Sequence, residues 1–342
     1  MFAGIIPAPR RPPNTIRGEL MITCYVRVNG SLLPVPQPET SAALPDDTIW
    51  IDMLDPTEQE RHFIDGALGL AMPKKEIMKE IEPSSRLYQT EAASYLTVVT
   101  MTAADTLKPQ NDPVTFVVTQ NVLVTLRYAD PQPFRNFIAN LRRYTLSCSC
   151  GEDVMAAIFD AIVARVADIL EKVNSETDEI SGQIFHRDRI SRPDYDGVLR
   201  RIGRNQTVTV LARDSLVSLA RVVTFLLRPV ESKLQKQTGR AFKTVSRDIA
   251  SLSDQASFLS NNLTFLLDAT LGLISSEQNG IIKIFSVAAV VFLPPTLIAS
   301  IYGMNFKDMP ELDWLFGYPF ALGLMVASAV FTYWFFKRRG WL

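Results

Sequence analysis

Two stretches near the C-terminus, Ile284 to Ile301 and Tyr318 to Phe336, contain no charged residue. Each is long enough for a helix to cross a hydrocarbon core of ~30 Å. Tyr302-Gly303-Met304-Asn305 and a short segment ending at Gly317 join them, so the pattern predicts a membrane hairpin. Upstream, Phe242, Val245, Ile249, Leu252, Ala256, Leu259, Leu263, Leu266, Thr270 and Leu273 alternate by three and four residues. Those are the a/d positions of a packed bundle or coiled coil. No proline interrupts this run before Pro294, so stalk and first span are predicted to be one helix. Val154, Ile158, Ile162, Val166, Ile169 and Val173 predict another helix to about Phe185, and a further one runs from Asp194 to Leu227, ended by Pro229. The charged segment Glu176 to Asp196 lies between them and reads as the tip of an antiparallel pair.

The N-terminal third has a different rhythm. Ile22 to Val28 is β-branched and aromatic and ends at the turn pair Asn29-Gly30. Thr48 to Asp52 and Tyr95 to Met101 read as buried strands, with a break at Pro109 to Pro113. Phe116 to Thr119 and Val122 to Leu126 flank Gln120-Asn121 as a hairpin, while Thr57 to Leu70 and Lys74 to Glu82 have helical character. The fold class is therefore an α/β domain followed by long helices in a coiled-coil-like stalk and a C-terminal two-helix transmembrane hairpin. The expected divisions are a lead-in at 1–20, the α/β domain at 21–150, a helical pair at 151–241 and a stalk at 242–280. The first span follows at 281–302, an outer loop at 303–317, the second span at 318–336 and a basic tail at 337–342.

A second stripe runs along the stalk helix. Asn261, Thr264, Asp268, Gly272, Ser275 and Asn279 share a face distinct from the heptad seam, and Ile282, Ser286, Ala289, Leu293 and Thr296 continue it. Spacing alone fits either a solvated stalk face or the wall of a pore. Pro294-Pro295 removes helix hydrogen bonds inside the first span, and freed carbonyls in a membrane need partners such as pore water. That favours a functional kink. Lys283 is placed to snorkel to the interface.

Composition and charge refine this picture. Among 342 residues, 47% are hydrophobic and 21% charged, and the formal net charge is -1. There is no basic footprint for nucleic acid. No continuous apolar core follows Arg10-Arg11, so no secretory signal is expected and the soluble part is placed in the cytoplasm. Lys337, Arg338 and Arg339 follow the second span, whereas the loop carries Lys307 against Asp308, Glu311 and Asp313. The positive-inside tendency then puts both termini inside and the loop outside. The three cysteines, Cys24, Cys148 and Cys150, are too few for a disulfide framework. Cys148-Ser149-Cys150 fits no standard zinc spacing and has no nearby histidine, so these thiols read as reduced and incidental. His62 and His186 read as ordinary surface or packing residues.

Several motifs together resemble the CorA family of divalent-cation channels. These are Ile281-Ile282-Lys283-Ile284-Phe285, Phe292-Leu293-Pro294-Pro295-Thr296 and Tyr302-Gly303-Met304-Asn305-Phe306, with Met309-Pro310-Glu311-Leu312 and the terminal Phe336 to Leu342. The likeness is dense from about Arg247 onward and diffuse before it. It implies a homopentameric funnel in the bacterial inner membrane, with the polar stripe and Tyr302 around a central pore and a narrow, greasy middle that gates by dewetting. It also implies Mg2+ as substrate and regulatory ligand, with Co2+ and Ni2+ passing too, and no prosthetic group. The lipid bilayer and further copies of the chain are the expected partners, nucleic acid is not, and the protein is not expected to be an enzyme.

Gly303, Met304 and Asn305 are the selectivity filter on this reading. Mg2+ demands octahedral oxygen geometry and sheds water reluctantly. Backbone carbonyls at Gly303 and the Asn305 amide would hold the hydrated ion, with Met304 as packing support. The alternative is a plain helix C-cap. Glu311 and Asp313 either concentrate cations at the mouth or belong to a solvated loop. Lys337 to Arg339 form either a cationic collar or a positive-inside anchor. By position on the stalk, Asp248, Asp254 and Asp268 are candidates for the family's regulatory metal sites at subunit interfaces. Two other readings stay open: the zinc-transporting branch of the superfamily, and a membrane-tethered sensor or scaffold that conducts nothing.

Overall fold

The computed structural model describes residues 22–28, 31–36, 43–80, 82, 86–143, 148–185, 194–228, 236–304 and 314–339. They divide into two compact units, one within residues 1–185 and 200–264, the other within 186–199 and 265–342. The lead-in at 1–20, the Asn29-Gly30 turn and His186 lie outside the described residues.

The first unit is built on a seven-stranded sheet in the order β2-β1-β3-β7-β6-β5-β4. Its strands are β1 (Ile22–Val28), β2 (Ser31–Pro36), β3 (Thr48–Leu54), β4 (Leu87–Gln89), β5 (Ser94–Thr102), β6 (Gln110–Val118) and β7 (Leu123–Arg127). Only β3 and β7 pair in parallel; every other neighbouring pair is antiparallel. Alternation along the strands sorts side chains onto two faces. Ile51, Met53, Val124 and Leu126 pack with Ile64 of α1 (Glu58–Leu68) and Met78 of α2 (Lys75–Met78). The other face is aromatic. Trp50 stacks on Tyr25 at 4.1 Å and meets Phe137 of α3 (Gln132–Arg143) at 5.6 Å. Phe116 meets Phe159 of α4 (Gly151–Phe185) edge-on at 5.0 Å, and Phe159 meets Phe242 at 6.0 Å. Each such ring contact adds to the ~1.5–3 kcal/mol of burying the side chain.

The sheet corrects the predicted break at Pro109 to Pro113, because β6 begins at Gln110 and includes Pro113. Pro113 is tolerated because β7 ends at Arg127, opposite Val114, so its missing N–H costs no ladder bond. The opposite residue, Val99, turns its polar backbone away from β6. Its N–H donates to Ser218 Oγ at 3.0 Å, and its carbonyl accepts from Ser215 Oγ at 2.8 Å. Those serines belong to α5 (Tyr195–Leu226), which covers the edge of β5 beyond the end of short β4. The segment Lys74 to Glu82 holds a helix of only four residues, α2. Strands β2 and β4 and helix α3 have no counterpart in the sequence prediction.

Where β3 and β7 run in parallel, a polar chain is enclosed at Trp50, Asp52, Thr125 and Arg127 and reaches the surface at Asp130. The Arg127 guanidinium bonds both Asp52 oxygens, at 3.0 and 2.8 Å, and reaches Asp130 at 2.7 Å. Asp52 also accepts from Thr125 Oγ1, which in turn accepts from Trp50 Nε1. Burial would lower the Arg127 pKa, but Asp52 and Asp130 outweigh it and hold the group above its ordinary value. A buried guanidinium without such partners would be prohibitive.

The long helices follow. Arg201 near the start of α5 bridges Glu179 near the end of α4 at 2.8 Å, so the two run antiparallel. Helix α4 starts hard against β7, where a Cβ on Gly151 would stand 2.8 Å from the Leu123 nitrogen. Helix α6 (Lys236–Tyr302) runs unbroken through Pro294 and Pro295. Its heptad seam is enclosed at Phe242, Val245, Ile249, Ala256, Leu259, Leu263, Leu266 and Thr270, and half-covered at Leu252 and Leu273.

In the second unit, the last part of α6 and helix α7 (Gly317–Arg338) are apolar and long enough to span a membrane. Only 6% of the most apolar stretch of either helix is buried. Phe285, Phe292, Leu293 and Phe331 are each more than 60% exposed. In water such a surface would be untenable; in hydrocarbon it is matched to its solvent.

Candidate functional site

The candidate site is the end of α6 and the turn that follows. Asn279, Ile282, Ser286, Ala289, Leu293 and Thr296 are all exposed, as are Ile284, Phe285 and Phe292 on the other faces, and Tyr302 is half-covered. None is charged. The stripe therefore offers small and aliphatic side chains between the Asn279 amide at one end and the helix C-terminus at the other. Thr296 Oγ1 donates to the Phe292 carbonyl at 2.8 Å, which leaves its oxygen able to accept. Pro294 and Pro295 have no N–H for the carbonyls of Val290 and Val291, so those two carbonyls lack their usual i+4 donor.

At the turn, the Gly303 N–H donates to Ala299 O at 3.0 Å and the Met304 N–H to Ile301 O at 3.2 Å. Gly303 is not in the left-handed region; among the described glycines only Gly69, the α1 C-cap, has positive φ. A Cβ at 303 would lie 3.2 Å from Ala299 O, a tight contact that a shift of a few tenths of an ångström relieves. Met304 is 46% exposed. Asn305, Glu311 and Asp313 lie outside the described residues.

The acidic candidates on the stalk do not converge. Asp254 and Asp268 recur at one heptad position, whereas Asp248 lies on another face; all three are exposed. Asp248 contributes charge near Asp160 of α4, whose carboxyl pKa is raised mainly by burial and then by that charge. Among the described residues, no group of three or more His, Cys, Asp or Glu side chains is placed to hold a metal ion. Cys24 and Cys148 are buried, and burial pushes each thiol up to about 11. Partly exposed Cys150 is pushed up to about 12, first by burial. Such thiols stay protonated and poorly nucleophilic at neutral pH.

Sequence reasoning missed aromatic clusters at both ends of α7. At one end, Trp314 packs 6.2 Å from Phe316 and 6.0 Å from Phe320. At the other, Arg338 lies 4.1 Å over the Trp334 ring, Arg339 5.4 Å over Phe335 and Lys337 6.0 Å over Tyr333. Aromatic residues bracketing an apolar run mark the two interfaces of a bilayer, and this signal was present in the composition of the flanks.

Comparison with known proteins accounts for this architecture. Residues 45–338 match the family model described as CorA-like Mg2+ transporter protein. A magnesium transport protein CorA of Pasteurella multocida (strain Pm70) is 34% identical over 322 residues, covering 94% of this chain and 100% of the relative. Its counterpart from Yersinia pseudotuberculosis is 33% identical over 295 residues, covering 86% of this chain and 92% of the relative. Among solved structures, the complete CorA magnesium transporter from Methanocaldococcus jannaschii superposes with a TM-score of 0.75 at 20% identity, over 94% of this chain and 99% of that one. The full-length CmaX protein superposes with a TM-score of 0.71 at 14% identity, again over 94% and 99%. With the sheet domain from β3 onward, the stalk helix and the apolar helices inside residues 45–338, the chain belongs to the CorA-like Mg2+ transporter family.

Proposed function

We propose that the protein is a homopentameric channel that admits hydrated Mg2+ down its electrochemical gradient. The observation that carries this reading is the continuous, uncharged and uncovered face of α6 from Asn279 to Thr296, ending at the Gly303-Met304 turn. Around a five-fold axis that face becomes the pore wall, and further copies of the chain supply the cover a single protomer lacks. Ile282, Ala289 and Leu293 form the dry constriction, which closes by dewetting. Carbonyls at Gly303 and the Asn305 amide bind the ion through its water shell, so hydration is not surrendered. Glu311 and Asp313 concentrate cations at the outer mouth.

The inner bacterial membrane is the site of action, with both termini in the cytoplasm, in keeping with Lys337, Arg338 and Arg339 at the end of α7. An inside-negative potential of 100 mV then supplies ~2.3 kcal/mol per charge, twice that for a divalent ion. Cytoplasmic Mg2+ on Asp248, Asp254 or Asp268 favours the closed state, and Co2+ and Ni2+ share the path. Replacing Asn305 with Ala is expected to abolish Mg2+ uptake into proteoliposomes while leaving insertion intact. Normal uptake by the inserted variant would remove the filter from Asn305. Competition among Mg2+, Co2+, Ni2+ and Zn2+ in the same assay separates this reading from a zinc transporter.

A further inference from the structure

We infer that the basic end of α7 is a binding site for the phosphodiester headgroup of an anionic phospholipid, centred on Arg338 and Trp334. Three consecutive cations, Lys337, Arg338 and Arg339, each lie over the ring four residues earlier, at 6.0, 4.1 and 5.4 Å. Side chains on a helix lean toward its N-terminus. The charged heads are therefore drawn back about one turn, to the level of Tyr333, Trp334 and Phe335, where an apolar span meets headgroups. A helix C-terminus attracts cations to its free carbonyls, but these three are held on ring faces instead.

The stacking also leaves the right chemistry unused. A guanidinium centred 4.1 Å over an indole ring spends none of its N–H donors on that contact, and their planar fork matches phosphate oxygens two at a time. Among the described residues no carboxylate competes for it: α7 contains no Asp or Glu, and no ion pair there involves Lys337, Arg338 or Arg339. All three are exposed. Arg338 has the closest ring contact and is the anchor. Lys337 and Arg339 flank it around the helix and favour a net negative lipid over a zwitterionic one. The inference needs α7 to span a bilayer but does not need the channel assignment, and its readout is lipid rather than ion flux.

The test uses the full-length protein in nanodiscs of equal phosphatidylglycerol and phosphatidylcholine, with the retained lipids counted by native mass spectrometry after extraction. Wild-type protein is expected to enrich phosphatidylglycerol, and Arg338→Gln to lose about fivefold in that preference, the effect of one interfacial cation. Arg338→Lys, which keeps the charge without the fork, and Trp334→Leu, which removes the stacking face, should fall between the two. Excess inorganic phosphate should leave the lipid count unchanged. Equal retention of both lipids by wild type, an unaltered preference in Arg338→Gln, or displacement of the lipid by free phosphate would each overturn the proposal. Wild type is itself one arm, so a variant that fails to insert does not shield the idea.

Discussion

Phe116 and Phe159 are completely enclosed by their own protomer, whereas Phe285, Phe292 and Phe331 are 71%, 68% and 64% exposed. The side chain is the same and only the surroundings differ. In the sheet domain, burial comes from the protomer itself, and even the charged pair Asp52 and Arg127 is satisfied from within. In the apolar parts of α6 and α7, almost nothing is covered, and charge is displaced to the ends. The first region carries its stability inside one chain. The second is complete only when lipid or other copies of the chain surround it, and this dependence is what suits it to forming a path across a membrane.

The contrast can be broken most sharply by truncating one ring from each region. Phe116→Ala is expected to cost ~3–5 kcal/mol, because the cavity it leaves cannot collapse. Phe331→Ala should change the thermal unfolding midpoint of the detergent-solubilised protein very little, since acyl chains are as apolar as the lost ring and flow into the gap. Equal losses would show that Phe331 is packed as a core residue. A smaller effect tests how rigid the enclosed region is. Gly151→Ala places a methyl group 2.8 Å from the backbone nitrogen of Leu123, so α4 or β7 must shift, at ~1–3 kcal/mol. A midpoint equal to wild type would mean that the α4–β7 contact yields easily.

The smallest effect concerns pH. Asp160 is exposed on one side, yet its carboxyl has a raised pKa in the folded protein, from partial desolvation first and the Asp248 charge second. Its contribution to stability is therefore present below the unfolded pKa and lost as pH rises through the folded value. Asp160→Asn should be slightly more stable than wild type at neutral pH, with the gain vanishing once pH falls below the ordinary carboxyl value of 3.8. A gain that persists in acid would assign the effect to packing instead of charge.

Periodicity made the helices legible. The seam from Phe242 to Thr270 and the exposed stripe from Asn279 to Thr296 depend on local spacing, which survives into the structure. The small strands were harder to read, for a physical reason. Strand β2 carries Pro34 and Pro36, which argue against a strand unless it lies at an edge, and β2 is an edge. Pro113 sits within β6 only because β7 stops short of it, and strand register is a tertiary fact. Helix α3 buries Phe134, Phe137 and Leu141, a helical spacing that the nearby Pro131 and Pro133 obscured. The Gly303-Met304-Asn305 motif was legible as a motif, but spacing alone left its face of α6 open between solvent and pore.

The most direct test of the proposed pore face is cysteine substitution along α6, in protein reconstituted for Mg2+ flux. The native thiols are buried or held protonated, at about 11 for Cys24 and Cys148 and about 12 for Cys150, so an added cysteine at the pore is the reactive one. A charged thiol reagent should block flux through Ser286→Cys, Ala289→Cys and Leu293→Cys and spare Ile284→Cys and Ala288→Cys, which lie across the helix. Block that is equal on both faces, or absent from the stripe in variants that conduct, would contradict a pore lined by Asn279 to Thr296.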